Sequence, residues 1–199
     1  MGAEDVESRA GDPVYQSAAE SGVIETLLRR VRSDGWKVVA AKQWCRSRKF
    51  KSHGPTPGEE RNVLGLALEA KRAGAEILAF VRDADGDTAR LKTIDAAVAK
   101  AAEIFSDLDI IGGAAFPVLE AWLLAMKHTH GTESLSKAAA QSKLQEMGIP
   151  PKDTAAMVAL VEGAPIEHGD IESLPEDAAT LRAWIGRARE VLLSGADAL

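Results

Sequence analysis

The sequence predicts an α/β fold in which a parallel four-stranded sheet is flanked by helices and followed by an all-helical C-terminal extension. Three features of the 199 residues point there. Short apolar runs alternate with amphipathic stretches, the last third of the chain holds no strand-like run, and aromatics are only 5% against a hydrophobic content of 46%. Strands separated by helices of ten or more residues need crossovers rather than hairpins, which makes the sheet parallel.

Residues 1–12 are polar and lack a periodic apolar pattern, so they read as a flexible leader. The α/β domain spans 13–130. Val14 to Ala19 is a first strand, and Val23, Ile24, Leu27, Leu28 and Val31 recur at helical spacing just after it. Asp34-Gly35 turns the chain into a second strand, Trp36 to Ala41. A long loop ends at Pro55 and Pro57, and a helix from Glu59 to Arg72 follows, with acids in its first turn and Gly74 as its stop. Glu76 to Arg82 is apolar almost throughout, as a central strand covered on both faces should be. An amphipathic helix from Thr88 to Phe105 leads to a fourth strand, Leu108 to Ala114, and Pro117 to Met126 is again helical. The extension, 131–199, holds three helical stretches: Glu133 to Met147, Lys152 to Val161 and Pro175 to Leu193.

The single Cys45 excludes an intramolecular disulfide and a thiolate-rich zinc site. No apolar run approaches the ~18 residues of a membrane span, and the N-terminus has no signal-peptide core, so a cytoplasmic protein with no membrane partner is expected. A net charge of −6 disfavours a nucleic-acid partner on average, yet the charge is unevenly distributed. Between Asp34 and Glu59 there is no acid, while Lys37, Lys42, Arg46, Arg48, Lys49, Lys51 and His53 alternate with Trp44 and Phe50. This 42–53 basic loop is the segment expected to bind the phosphates of DNA or RNA, the alternative being a solvated surface loop.

Asp83, Asp85 and Asp87 stand at alternate positions around Gly86 at the end of the third strand. Like charges so close repel one another and need compensation by a cation or by backbone N–H donors. Hard oxygen ligands favour Mg²⁺, Mn²⁺ or Ca²⁺ over Zn²⁺. Ligands of an open parallel sheet gather at the carboxyl ends of the strands, where Glu20 and Glu120 also fall. Five candidate metal ligands result: Glu20, Asp83, Asp85, Asp87 and Glu120. Asp85 and Asp87 equally suit a turn and a helix N-cap, and Glu20 a first-turn acid. His128 and His130 read as solvated loop residues, and the four tryptophans as core.

Glu20-Ser21-Gly22, the Asp83-Ala-Asp85 pair and the block Phe116-Pro-Val-Leu-Glu120-Ala-Trp122-Leu-Leu resemble a TOPRIM-type, Rossmann-like domain. More narrowly, they are similar to small TOPRIM-like bacterial families related in fold to the overcoming-lysogenization-defect nucleases. The resemblance covers residues 13 to 127 and implies Mg²⁺ or Mn²⁺ bound by the acids, with cleavage of nucleic-acid phosphodiesters in phage defence or mobile elements. It implies that Glu20 is a metal ligand or general acid/base, that Asp83 and Asp85 bind metal, and that Glu120 is the acid before the tryptophan. The family glutamate is followed directly by glycine and, four positions on, by an acid; here those places hold Ser21 and Ile24, with Gly22 and Glu25 one residue late.

Tyr15, the sole tyrosine, precedes the acid and is no transesterification nucleophile, so a hydrolytic nuclease is expected rather than a topoisomerase. Glu20, Glu120 and Lys51 are its candidate catalytic residues, with His53 or Lys92 as further candidates beside the scissile phosphate. One alternative is a non-catalytic subunit that binds nucleic acid, or a protein partner through the C-terminal helices. Another is a haloacid-dehalogenase-like phosphatase with Asp83 as nucleophile and Asp85 as acid/base, although Asp87 replaces that family's usual threonine or valine. An EF-hand fails, because position twelve counted from Asp83 is Ile94.

Overall fold

The computed structural model describes residues 22–41, 44, 57–150 and 152–193. Helices α1 (Val23–Val31) and α2 (Gly58–Arg72) precede strand β1 (Ile77–Asp83), helix α3 (Thr88–Ile104) and strand β2 (Asp109–Ala115). Helices α4 (Leu119–Ala125), α5 (Lys137–Glu146), α6 (Thr154–Glu162) and α7 (Ala179–Leu193) complete the described chain. β1 and β2 pair in parallel, with Ile77 opposite Asp109 and Asp83 opposite Ala115.

The α/β class and the parallel pairing agree with the pattern read from the sequence, but the described sheet has two strands rather than four. Trp36 to Ala41, expected as a strand, joins no ladder among the described residues. The expected strand at Val14 to Ala19 lies outside the described residues. Ile77, Leu78 and Ala79 are apolar yet only half-buried, and they border a cavity of about 900 Å³ that is also lined by Leu28, residues 36–41 and Leu192.

Alternation along the strands divides the core. Phe80, Ile110 and Ala114 face α2 and α3, where they meet Val63, Leu64, Ile94 and Ala97. Val81, Ile111 and Ala115 face the opposite layer, built from α1 and from α4 to α7. The helices assigned from sequence to a separate extension therefore share one core with α1, β1 and β2. Consecutive glycines in β2 permit this close packing: a Cβ at Gly112 would overlap the Phe80 ring and Val98, and one at Gly113 would press on Arg187 and Trp184. Trp184 is fully buried, and its indole N–H donates to the Phe80 carbonyl at 3.1 Å.

No helix among the described residues is long and apolar enough to cross a membrane.

Candidate functional site

The loops that leave β1 and β2 lie side by side at the carboxyl edge of the sheet. Ala84 N–H donates to Ala115 O at 2.9 Å, and Gly86 N–H to Pro117 O at 3.3 Å. After β1 the chain reverses through Ala84-Asp85-Gly86-Asp87, closed by a 3.0 Å bond from Asp87 N–H to Ala84 O. Both central residues have positive φ, 53° at Asp85 and 76° at Gly86. Aspartate and glycine are the residues that tolerate this conformation. After β2, a cis Phe116–Pro117 peptide leads into α4.

The acids divide by role. Asp83 is half-buried, and its Oδ1 accepts from Leu119 N–H at 2.9 Å, satisfying an amide that Val118 leaves uncapped. Burial pushes the Asp83 pKa above the ordinary carboxylate range; the Leu119 bond opposes this, while the nearby Glu120 and Asp85 charges reinforce it. Glu120, in the first turn of α4, is 2% exposed, and its Oε1 accepts from Gln141 Nε2 at 2.9 Å.

Asp85 is exposed and bound by two cations, with Arg90 Nη1 at 2.6 Å and Lys137 Nζ at 3.0 Å. Partial burial raises its pKa, but hydrogen bonds from Lys137 and Arg90 outweigh that and leave it below the usual value. Asp87 caps α3, its Oδ1 accepting from Ala89 N–H at 2.8 Å and Arg90 N–H at 3.1 Å. Of the alternatives weighed for Asp87, the geometry is that of a cap. Asp87→Ala is expected to lower stability by about 1 kcal/mol in urea unfolding.

Asp83, Asp85 and Glu120 thus meet at one edge, as their places in the sequence predict. Glu20 lies outside the described residues, as do Arg46, Arg48, Lys49, Lys51 and His53. Lys92 is exposed on α3. His130 pairs with Asp177 at 3.8 Å. Among the described residues, no three His, Cys, Asp or Glu groups are gathered closely enough to hold a metal ion as they stand.

Sequence reasoning missed Arg90, Lys137 and Gln141. Arg90 also reaches Glu59 at 3.3 Å and the carbonyls of Ala84 at 3.2 Å and Asp83 at 3.4 Å. Lys137 and Gln141 are one helical turn apart on α5, so a single face serves Asp85 and Glu120 together. That i, i+4 spacing was the available signal, but nothing local connects it to acids so far back in the chain.

Comparison with protein-family models, with curated proteins and with solved structures finds no match to this chain.

Proposed function

We propose that this protein is a divalent-metal-dependent phosphodiesterase of TOPRIM-like type, hydrolysing DNA or RNA in a phage-defence or mobile-element setting. The observation that carries the reading is the bond from Leu119 N–H to Asp83 Oδ1 at 2.9 Å, which ties the carboxyl end of β1 to the turn of α4 that bears Glu120. The donor set is hard oxygen throughout, and an ammonium already stands beside it, so its chemistry fits Mg²⁺ or Mn²⁺. Asp83, Asp85 and Glu120 do not by themselves gather closely enough to hold an ion, and Glu20 would complete the ligand set. A bound divalent cation supplies an activated water and offsets the charge that develops on the phosphate.

The chain's own part is positioning. Leu119 N–H fixes the Asp83 carboxylate, and Gln141 fixes that of Glu120. The basic loop, with Arg46, Arg48, Lys49, Lys51 and His53, would carry the phosphate backbone. A four-stranded sheet belongs to the same reading. It is supported by the half-buried apolar edge of β1 and the cavity beside it, which leave room for another strand.

The second reading is a TOPRIM-like module that binds without cutting, favoured by the two ion pairs that engage Asp85. Incubation with labelled DNA and RNA, with and without Mn²⁺, separates the two. Metal-dependent cleavage that disappears in the Asp83→Ala, Glu120→Ala double variant is expected. Cleavage that survives the double variant removes the nuclease reading, and binding without cleavage favours the second. Phosphate release from small phosphomonoesters would instead favour the dehalogenase-like alternative.

A further inference from the structure

We infer that residues 14–19 seat as a parallel strand on the free edge of β1, filling the cavity between β1 and residues 36–41. The inference rests on the four-stranded sheet proposed above and names the occupant of one place in it; it needs neither metal nor nucleic acid.

The edge of β1 away from β2 is open. In a parallel ladder, alternate residues of a strand bond to one neighbour, and the residues between them turn to the other side. Asp109 N–H donates to Glu76 O at 2.9 Å and Ala84 N–H to Ala115 O at 2.9 Å, so the even-numbered residues from Glu76 to Ala84 serve β2. The main-chain groups of Ile77, Ala79 and Val81 therefore point toward the cavity, and no hydrogen bond among the described residues reaches them. Such groups beside apolar side chains call for a partner.

The cavity continues the sheet between the two helical layers. Leu28 and Leu192, from the layer of α1 and α7, border it on one side, and Leu66 and Ala70 of α2 border it on the other. Direction follows from where α1 begins. α7 starts at the carboxyl edge, where Thr180 Oγ1 accepts from Phe116 N–H at 3.4 Å, and it passes the middle of β1 at Trp184. In its last turn, Leu192 O accepts from Arg32 Nη1 at 2.7 Å, which sets the end of α1 at the opposite edge. α1 packs on the Val81 face, and its nine residues, about 13 Å long, carry its start back toward the carboxyl edge.

A segment that enters α1 there through Glu20-Ser21-Gly22 runs in the direction of β1. Its extended length of about 20 Å matches the seven residues of β1. Beyond α1 the chain turns at Gly35, φ 78°, and residues 36–41 form the far wall of the cavity. Residues 14–19, α1 and residues 36–41 then make a β-α-β unit, and the strand order is 36–41, 14–19, β1, β2. Glu20 follows at the same edge as Asp83.

Amide hydrogen exchange of the full chain, read residue by residue by NMR, tests this. Ile77, Ala79 and Val81 are expected to exchange as slowly as Leu78 and Phe80, which the ladder with β2 protects. Gln16→Pro removes one N–H from a strand that has a neighbour on each side. It is expected to speed exchange at Ile77, Ala79 and Val81 about tenfold or more, while Leu78 and Phe80 stay protected. Free exchange at the three residues in wild type overturns the inference and the four-stranded sheet together. Protection that Gln16→Pro leaves intact overturns the choice of segment alone; Val38→Pro and dilution then show whether residues 36–41 or a second copy covers the edge. Should Gln16→Pro fail to fold, Gln16→Gly is expected to speed the same three amides about threefold.

Discussion

Asp83→Asn is expected to reduce metal-dependent cleavage by about a hundredfold or more while making the protein more stable at neutral pH. The two effects share one cause. Burial, with the charges of Glu120 and Asp85 beside it, raises the Asp83 pKa, so the folded state holds its proton to higher pH than the unfolded chain does. Stability therefore falls as pH rises from the ordinary aspartate value, about 3.9, through the raised folded value, and the whole cost is present above that. Asparagine carries no charge and still accepts from Leu119 N–H, so it escapes the cost. Below about pH 3.9 both proteins have a neutral side chain here, and their stabilities should converge. Thermal unfolding across pH, run beside the cleavage assay, checks both halves. A variant with unchanged cleavage, or with lower stability at pH 7, contradicts this account of Asp83.

Trp184→Ala is expected to cost about 3–5 kcal/mol in urea unfolding. The side chain is fully buried on α7, its ring centroid is 6.0 Å from that of Trp122, and its N–H satisfies the Phe80 carbonyl in β1. Alanine would open a cavity and remove that hydrogen bond. Trp184→Phe keeps most of the apolar volume and loses the hydrogen bond, so about 0.5–1.5 kcal/mol is expected. If Trp184→Ala unfolds within 1 kcal/mol of wild type, then α7 is not part of the sheet's core, and the helices after residue 131 behave as an appendage.

Local patterns were legible where one residue's neighbours decide its state. Helix α1 follows the spacing of Val23, Ile24, Leu27, Leu28 and Val31, all of them buried. β1 and β2 lie one residue from the runs read as strands, because apolar stretches between two helical layers have few other solutions. Trp36 to Ala41 has comparable β-branched content at Val38 and Val39 and yet joins no ladder among the described residues; a strand exists only by pairing, which its own composition does not decide.

The acids follow the same division. The sequence by itself determined that Asp83, Asp85 and Glu120 would collect at one edge, because strand direction and the run into α4 fix where those residues fall. It also showed that three neighbouring carboxylates require compensation. Only the tertiary structure decided what compensates them: the Asp87 carboxylate is engaged with the N-terminus of α3, Arg90 folds back over the turn, and Lys137 arrives from α5. The helices that looked like an extension supply the charge and the amide facing the site. Charge balance is set by distances through space, and those depend on how α5 packs against α4, which no local pattern of residues encodes.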